Sequence, residues 1–317
     1  MVTKEKQISV CAQQILGEVR KAVVGKDQQL LWVMAVILAK GHILLEDIPG
    51  VGKTTMAVAF SKVLNLNYGR VQFTPDVLPS DITGYSVPDP ATGQMQYKPG
   101  AILCNLFLAD ELNRATSRTQ SALLEAMEEG QVTVDGVAHK LPQPFIVIAT
   151  QNPTGAAGTQ LLPDSQLDRF TVRLRMGYPE AKDEIAMVES RQGRDPMGEI
   201  QALTNVEQLL ALQDTVEKTF VAKDVIRYVV ELMNATRNDP LILQGASPRA
   251  TLSVVAMAKA VARLRGRDYV TPKDVQEVIM PTVAHRLILS PKANAQELTA
   301  EQVLGKLLRT VPAPRLG

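Results

Sequence analysis

One short stretch constrains the fold of this chain more than any other feature. After the apolar run 43–45 the sequence reads Asp47-Ile48-Pro49-Gly50-Val51-Gly52-Lys53-Thr54-Thr55, and a helical pattern follows over 56–64. A strand, a glycine-rich loop and a helix in this order are typical of a phosphate-binding P-loop, in which backbone N–H groups and the positive end of the helix hold the phosphates. We expect Lys53 to reach the β- and γ-phosphates and the Thr54 hydroxyl to ligate Mg²⁺.

The loop departs from the pattern G-x-x-x-x-G-K-[ST] at one position, because Asp47 stands where the first glycine is usual. Aspartate tolerates the left-handed backbone region better than most residues, so we expect the loop still to close. The alternative interpretation is a turn ahead of an ordinary helix. Gly-x-Gly-Lys-Thr between a strand and a helix is a rare coincidence, which favours the P-loop.

The composition limits the class of protein. A chain of 317 residues, 45% of them apolar, fits one large domain or about two ordinary ones. The net charge of +1 gives no argument for nucleic acid or an acidic membrane surface. The longest apolar run, 30–39, is too short to span a bilayer, and residues 1–6 do not indicate a secretory signal. Cys11 and Cys104 make no metal pattern; we expect Cys104 to be a buried thiol, in a reducing cytosol.

Hydrophobic periodicity divides the chain into two parts. Residues 1–40 are predicted to be helical, and short apolar strands then alternate with helices at 43–45, 70–73, 106–109 and 145–150. Such strands are typical of a parallel sheet covered on both faces. From about residue 180 onward only capped helical patterns occur. We therefore expect an α/β nucleotide-binding core over 1–178 and a smaller all-α domain over 179–317.

Two segments of the core look inserted. Segment 81–100 is rich in Gly, Pro and Asp with short alternating pieces, and it predicts a hairpin-bearing loop. Segment 131–140 alternates apolar and polar residues around Asp135-Gly136, a strong two-residue hairpin turn. We expect each segment to form a hairpin outside the sheet.

Polar side chains follow two of the buried strands. Asp110 and Glu111 end the strand 106–109, where Asp110 can hold Mg²⁺ through water and Glu111 can deprotonate the water that attacks the γ-phosphate. The alternative is two solvated acids that cap the next helix. Asn152 follows the strand 145–150 and can position the attacking water, although an Asn-Pro turn is the plainer interpretation.

Two arginines are candidates for contact with phosphate. Arg169 follows a helix end, where it pairs with Asp168 locally or projects towards a neighbouring subunit's γ-phosphate; the residues alone leave both open. Arg249 lies in the first turn of a helix that begins Ser247-Pro248. A cation is unfavourable there for the helix dipole, which suggests a ligand, although surface arginines at helix starts are also common.

Taken together, these motifs resemble the AAA+ ATPases, and most closely the MoxR family. The resemblance covers roughly residues 15–310, and its specific pieces are 44–54, 76–84, 109–115, 120–129, 149–153, 162–170 and 245–250. It implies an α/β P-loop ATPase core with a parallel sheet, followed by a smaller all-α lid. Segment 81–100 is similar to the family's insertion in helix 2, and 131–140 to its pre-sensor-1 insertion, both of which face the pore or axial surface of family rings.

The resemblance also implies roles for individual residues. Asp110 and Glu111 would form Walker B and Asn152 sensor 1, with the metal held by Thr54 and Asp110. The nucleotide would be bound by an adenine pocket and the Walker A loop: Val24, Gly25, Pro49, Gly50, Val51, Gly52, Lys53, Thr54 and Thr55.

Three arginines would act around the nucleotide. Arg169 would be the arginine finger that acts across the subunit boundary, and Arg249 would be sensor 2, reaching from the lid to its own subunit's nucleotide. Arg114 is a second candidate for signalling between subunits.

The implied function is that of a cytosolic ATPase that uses ATP and Mg²⁺ and forms a homo-oligomeric, hexameric ring. By analogy with the family it would remodel a client protein, together with a partner that contains a von Willebrand factor A domain. Its work would be to assemble enzyme complexes or insert metal cofactors. One alternative is a nucleic-acid motor, against which the neutral charge counts. The other is a nucleotide-dependent binding switch, against which the intact Glu111 and Asn152 count.

Overall fold

The computed structural model describes residues 4–48, 50–152 and 162–315. Its strands are β1 Ile43–Glu46, β2 Tyr68–Gln72, β3 Gly84–Pro88, β4 Met95–Pro99, β5 Leu106–Asp110, β6 Gln131–Val134, β7 Val137–Lys140, β8 Ile146–Gln151, β9 Val172–Leu174, β10 Ile242–Gln244 and β11 Ile288–Leu289. Its helices are α1 Lys4–Val19, α2 Asp27–Leu38, α3 Lys53–Val63, α4 Pro79–Thr83, α5 Ser117–Glu129, α6 Asp164–Leu167, α7 Ala181–Ser190, α8 Val206–Glu217, α9 Lys223–Asn238, α10 Pro248–Leu264, α11 Pro272–Val283, α12 Pro291–Ala295 and α13 Ala300–Thr310.

A five-stranded parallel sheet, in the order β2-β5-β8-β1-β9, forms the centre of the core. The four strands expected from the sequence are confirmed, and each of their ends lies within two residues of the predicted one. The fifth strand, β9, was not predicted, because three residues that include Arg173 give too short an apolar signal. β1, β5 and β8 are buried along their whole length. β2 is an edge strand and only half-buried, so the expectation that both faces are covered was wrong for it.

Side chains from the sheet alternate between two apolar clusters. In β5, Leu106 and Leu108 face α1–α3 and the C-terminal helices, whereas Phe107 and Ala109 face α5. This is the period of two that a strand imposes on its side chains. Cys104 lies in the second cluster, and burial raises the pKa of its thiol to about 12, which confirms the predicted buried cysteine.

Both predicted hairpins are present outside the sheet. β3 pairs antiparallel with β4, and β6 with β7. Asp135 and Gly136 have φ values of 50° and 78°, as a tight turn with two left-handed residues requires. The rings of Tyr97 and His139 stack with their centroids 3.7 Å apart, so the two hairpins contact each other.

The chain beyond β9 is mostly helical, and α8–α11 and α13 share the first apolar cluster with α1–α3. Ser247 and Thr271 cap α10 and α11 through their side chains, as the Ser-Pro and Thr-Pro pairs indicate. A two-stranded ribbon, β10 with β11, adds to the helices expected there; strands this short carry no periodic signal. Within the described ranges, no helix combines the length and the apolar character that crossing a membrane needs.

Candidate nucleotide site and arginine cavity

A cavity of about 530 Å³ opens at the carboxyl end of β1, and we call it the P-loop cavity. Most of the predicted nucleotide, metal and water-activating residues line it: Val24, Gly50, Val51, Gly52, Lys53, Thr54, Thr55, Asp110, Glu111 and Asn152. The predicted residue Pro49 lies outside the described residues. The fold therefore brings together side chains that are more than 100 positions apart in the sequence, at the edge of the sheet where parallel strands end.

The loop itself has the conformation that phosphate binding needs. Gly50 and Gly52 have φ values of 85° and 92°, a region that glycine adopts without a steric penalty. α3 begins at Lys53, so its free N–H groups point into the loop. The Lys53 ammonium donates to the carbonyls of Asp47, at 2.8 Å, and Ile48, at 3.1 Å. Burial lowers the pKa of Lys53, and the nearby carboxylates of Asp47, Asp110 and Glu111 oppose that shift.

Asp47 has a different role from the one expected. It is not in the left-handed region, so the predicted reason for tolerating it there was wrong. Its Oδ2 accepts the backbone N–H groups of Met176 and Gly177, both at 2.6 Å, and its Oδ1 accepts that of Ile48 at 2.9 Å. The carboxylate therefore ties the start of the P-loop to the chain that leaves β9.

Lys26 holds the same segment from the other side. Its ammonium donates to the carbonyls of Met176, Gly177 and Tyr178 at 2.8 to 3.0 Å. Lys26 also lines the P-loop cavity, a position that the sequence did not indicate. The acceptors are three backbone carbonyls about 150 positions away in the sequence, so no local pattern predicts these contacts.

The two acids at the end of β5 share one partner, Thr150, and each also pairs with an arginine. Asp110 is buried; its Oδ1 accepts from the Thr150 hydroxyl and its Oδ2 from Arg70, both at 2.8 Å. Glu111 has a left-handed backbone, with φ 57° and ψ 45°, and its N–H donates to the same Thr150 hydroxyl at 2.8 Å. The Glu111 carboxylate pairs with Arg114 at 2.7 Å instead of capping the next turn.

Asn152 follows β8 and lines the P-loop cavity beside the acids. Its carbonyl accepts from the Asn113 side chain at 3.2 Å, which links the end of β8 to the turn after β5. Gln151, one residue earlier, donates to Glu46 at the end of β1 at 2.9 Å. Side-chain bonds thus join the carboxyl ends of three adjacent strands.

The lining of the P-loop cavity also includes residues before α2 and residues in and next to α7. Val24 lines the cavity with Ala22 and Val23, and opposite them stand Tyr178, Pro179, Glu184, Met187 and Arg191. The sequence did not indicate these last five, because periodicity does not show which element a face of α7 covers. Gly25 itself is not among the lining residues, although Val24 and Lys26 on either side of it are. A Cβ there would lie 2.3 Å from the Asp183 carboxylate, so Gly25 allows α7 to approach closely.

A second cavity, of about 280 Å³, lies at the opposite end of β1, and we call it the arginine cavity. It is lined by Lys40, Gly41, His42, Met127, Glu128, Arg169, Thr171, Arg249 and Ser253. Arg169 pairs with Glu128 at 3.1 Å, and Arg249 pairs with the other oxygen of the same carboxylate. Two guanidinium groups share one carboxylate, which leaves a net positive charge.

The predicted contact of Arg249 with its own subunit's nucleotide is not supported by this geometry. The start of α10 is bound to the segment before β9, because the Ser247 hydroxyl donates to the Asp168 carboxylate at 3.0 and 3.1 Å. Arg286 pairs with the same carboxylate at 3.4 Å. These bonds place Arg249 beside Arg169. The four residues of β1, roughly 13 Å of extended chain, separate the end at the arginine cavity from the end at the P-loop.

The donor set of the P-loop cavity fits a nucleoside triphosphate with Mg²⁺. Its volume is in the range of ligand pockets, and it combines a glycine loop, an ammonium, a threonine hydroxyl and carboxylates. No cluster of three or more His, Cys, Asp or Glu side chains that could hold an ion occurs in the described ranges. Mg²⁺ here would therefore need oxygens from phosphate and water beside Thr54 and Asp110.

Comparisons with known proteins identify the family of this chain. Residues 42–172 match the model of the ATPase family associated with various cellular activities (AAA), and 234–307 match the AAA lid domain. Protein YeaC of Bacillus subtilis, itself uncharacterized, is 42% identical over 93% of this chain and 92% of its own length. Chaperone MoxR1 of Mycobacterium tuberculosis is 40% identical over 94% of this chain and 81% of its own. A crystal structure of a Cytophaga hutchinsonii protein matches with a TM-score of 0.91 and 34% identity, covering 98% of this chain and 97% of the other.

Proposed function

The chain belongs to the MoxR family of AAA+ ATPases, and we propose that it hydrolyses ATP at sites shared between neighbouring subunits of a hexameric ring. One observation carries this proposal: the P-loop cavity and the arginine cavity lie at opposite ends of β1. Arg169 and Arg249 therefore serve a phosphate bound by another subunit. A head-to-tail interface puts the arginine cavity of one subunit against the P-loop cavity of the next.

In this mechanism the chain's own residues divide the work. The loop 50–52 and the start of α3 bind the phosphates. The Lys53 ammonium exchanges the carbonyls of Asp47 and Ile48 for the β- and γ-oxygens of the phosphates. Thr54 and Asp110 would hold Mg²⁺, which would supply positive charge beside the phosphates. Glu111 accepts the proton of the attacking water, and Asn152 orients that water.

The neighbouring subunit supplies the positive charge that the transition state needs. Arg169 acts as the finger, and Arg249 adds a second guanidinium from the lid of the same neighbour. Their shared contact with Glu128 keeps both side chains oriented towards the interface before it forms. Arg114 acts within its own chain, through its ion pair with Glu111.

The work of the ring is the remodelling of a client, as a chaperone does. The two hairpins expose Tyr85, Met95 and Val137, apolar side chains suited to contact with a protein client. Movement of the lid, residues 179–317, about a boundary after Tyr178 would transmit hydrolysis to them. A partner with a von Willebrand factor A domain, and clients that need assembly or metal insertion, complete this proposal by analogy with the family.

Specific activity as a function of protein concentration tests the shared site. The ATPase rate per subunit should rise with concentration as rings form, and Arg169→Ala should bind ATP without hydrolysing it. Arg227→Ala is the matched control, since it removes an exposed arginine that pairs with Asp224 within α9. A flat rate per subunit, together with full activity of Arg169→Ala, would show that each subunit works alone.

A further inference from the structure

Thr150 touches both acids of the hydrolytic site through one hydroxyl. We propose that it is a positioning residue that fixes the Asp110 carboxylate and the Glu111 backbone at the same time. This inference rests on the proposed ATPase function and deepens it. It concerns a residue that the sequence placed in a buried strand and in the resemblance at 149–153, but with no role of its own.

The direction of the two hydrogen bonds is determined by their atoms. The Glu111 N–H, 2.8 Å away, can only donate, so the Thr150 oxygen accepts it. The hydroxyl therefore directs its own proton to Asp110 Oδ1, also at 2.8 Å. Thr150 is fully buried, so no water replaces either bond if the hydroxyl is removed.

The backbone of Glu111 needs such support. A residue with a side chain adopts φ 57° at a steric cost, and it stays there only when its surroundings fix it. Thr150 binds this backbone from the buried side, whereas Arg114 binds the carboxylate from the exposed side. The direction in which the Glu111 side chain leaves the chain, and so the place of the catalytic base, follows from that backbone.

Thr150 also connects the acids with the P-loop. Its Cα pairs with that of Leu45 in β1, two residues before Asp47, while its side chain reaches across to the end of β5. The other oxygen of Asp110 is bound by Arg70, whose side chain is 44% exposed. Thr150 is thus the buried partner that keeps Asp110 in register with Thr54.

The test compares Thr150→Val, which keeps the shape and removes the hydroxyl, with Thr150→Ser, which keeps the hydroxyl. We expect Thr150→Val to lower kcat roughly 10- to 100-fold, because small displacements of catalytic groups have effects of that size. Its KM for ATP should stay within about threefold, because Thr150 contacts the acids and not the glycine loop. Its half-saturating Mg²⁺ concentration should rise, and Thr150→Ser should behave as the wild type does.

Thr282→Val is the matched control. Its hydroxyl is also fully buried and has no hydrogen-bond partner among the described residues, so kcat should not change. Wild-type kcat in Thr150→Val, or equal losses of kcat and ATP binding that serine does not restore, would overturn the positioning role. If the wild type itself hydrolyses no ATP, the proposed function fails first, and the two failures are distinct.

Discussion

The cavities at the two ends of β1 are lined by different kinds of residue. The P-loop cavity holds a loop suited to phosphate, the ammonium groups of Lys26 and Lys53, and the two acids at the end of β5, but its described lining contains neither Arg169 nor Arg249. The arginine cavity holds those two guanidinium groups around a single carboxylate and has no loop for phosphate among its described residues. The proposed mechanism therefore combines the P-loop cavity of one copy of the chain with Arg169 and Arg249 of another.

The two cavities are also built differently. The P-loop is made by consecutive residues and held by buried and part-buried bonds, such as those of Lys26 and Asp47. The arginine cavity is assembled from the ends of α2, α5 and α6 and the start of α10, and its ion pairs are partly exposed. Partly exposed ion pairs contribute little to stability, so the exchange of Glu128 for a phosphate that the proposed mechanism requires should cost little.

The largest expected effect separates binding from hydrolysis. Lys53→Ala should raise the Kd for ATP roughly 100-fold, because it removes a charged donor to the phosphates. Arg169→Ala should leave that Kd unchanged and lower kcat by roughly 10³-fold, the scale of a lost arginine finger. Titration with a fluorescent ATP analogue and a steady-state ATPase assay measure the two quantities. An equal loss of affinity in both variants would mean that the two cavities are not functionally distinct.

Substitution of Arg249 should lower kcat, as substitution of Arg169 does, but by a smaller factor. Arg249→Ala should lower kcat by roughly 100-fold, as the loss of one transition-state donor does, and leave the Kd for ATP unchanged. Arg249→Lys should recover part of the rate because it keeps the charge. If Arg249→Ala instead weakens ATP binding in monomeric protein, the residue reaches its own subunit's nucleotide after all.

Protonation of His42, which lines the arginine cavity, should lower the free energy of unfolding at low pH. Burial lowers the pKa of His42 from 6.5 to about 4, and the contact of its Nε2 with the Met127 carbonyl opposes that shift. Its Nδ1 accepts from the Val147 N–H. The unfolded chain binds this proton more readily, so the contribution is complete above pH 6.5 and is lost as the pH falls towards 4. The loss should reach about 2–3 kcal/mol.

Urea unfolding of the wild type and His42→Gln between pH 7 and pH 4 measures this contribution. Because all other titrating groups are common to both proteins, the difference in unfolding free energy between them should shrink as the pH falls. A difference that stays constant over this range would exclude His42 as the source.

The smallest effect concerns the start of the P-loop. Asp47→Gly restores the glycine that is usual there but removes the acceptor for Met176 and Gly177, so it should lower the free energy of unfolding by about 1–2 kcal/mol. Asp47→Asn keeps one oxygen acceptor and should lower it less. Urea denaturation measures both, and a glycine variant as stable as the wild type would show that these bonds contribute nothing.

The P-loop, the acids and both hairpins were predictable because each is encoded within a few consecutive residues. The strand, loop and helix around Lys53, and the Asp135-Gly136 turn, give local signals of this kind. The functions of Asp47 and Lys26 were not predictable, since their partners lie some 130 to 150 positions away. The position of Arg249 beside Arg169 was not predictable either, because it depends on the hydrogen bond from Ser247 to Asp168, a contact between distant segments.

Mixing two inactive variants tests the shared site most directly. Glu111→Gln keeps its arginines but lacks the base, and Arg169→Ala keeps the base but lacks the finger. In mixed rings the nucleotide of an Arg169→Ala subunit can meet the finger of a Glu111→Gln neighbour. Random pairing across a head-to-tail interface then restores about a quarter of wild-type activity. Activity no higher than the sum of the separate variants, in rings shown to contain both, would contradict the account.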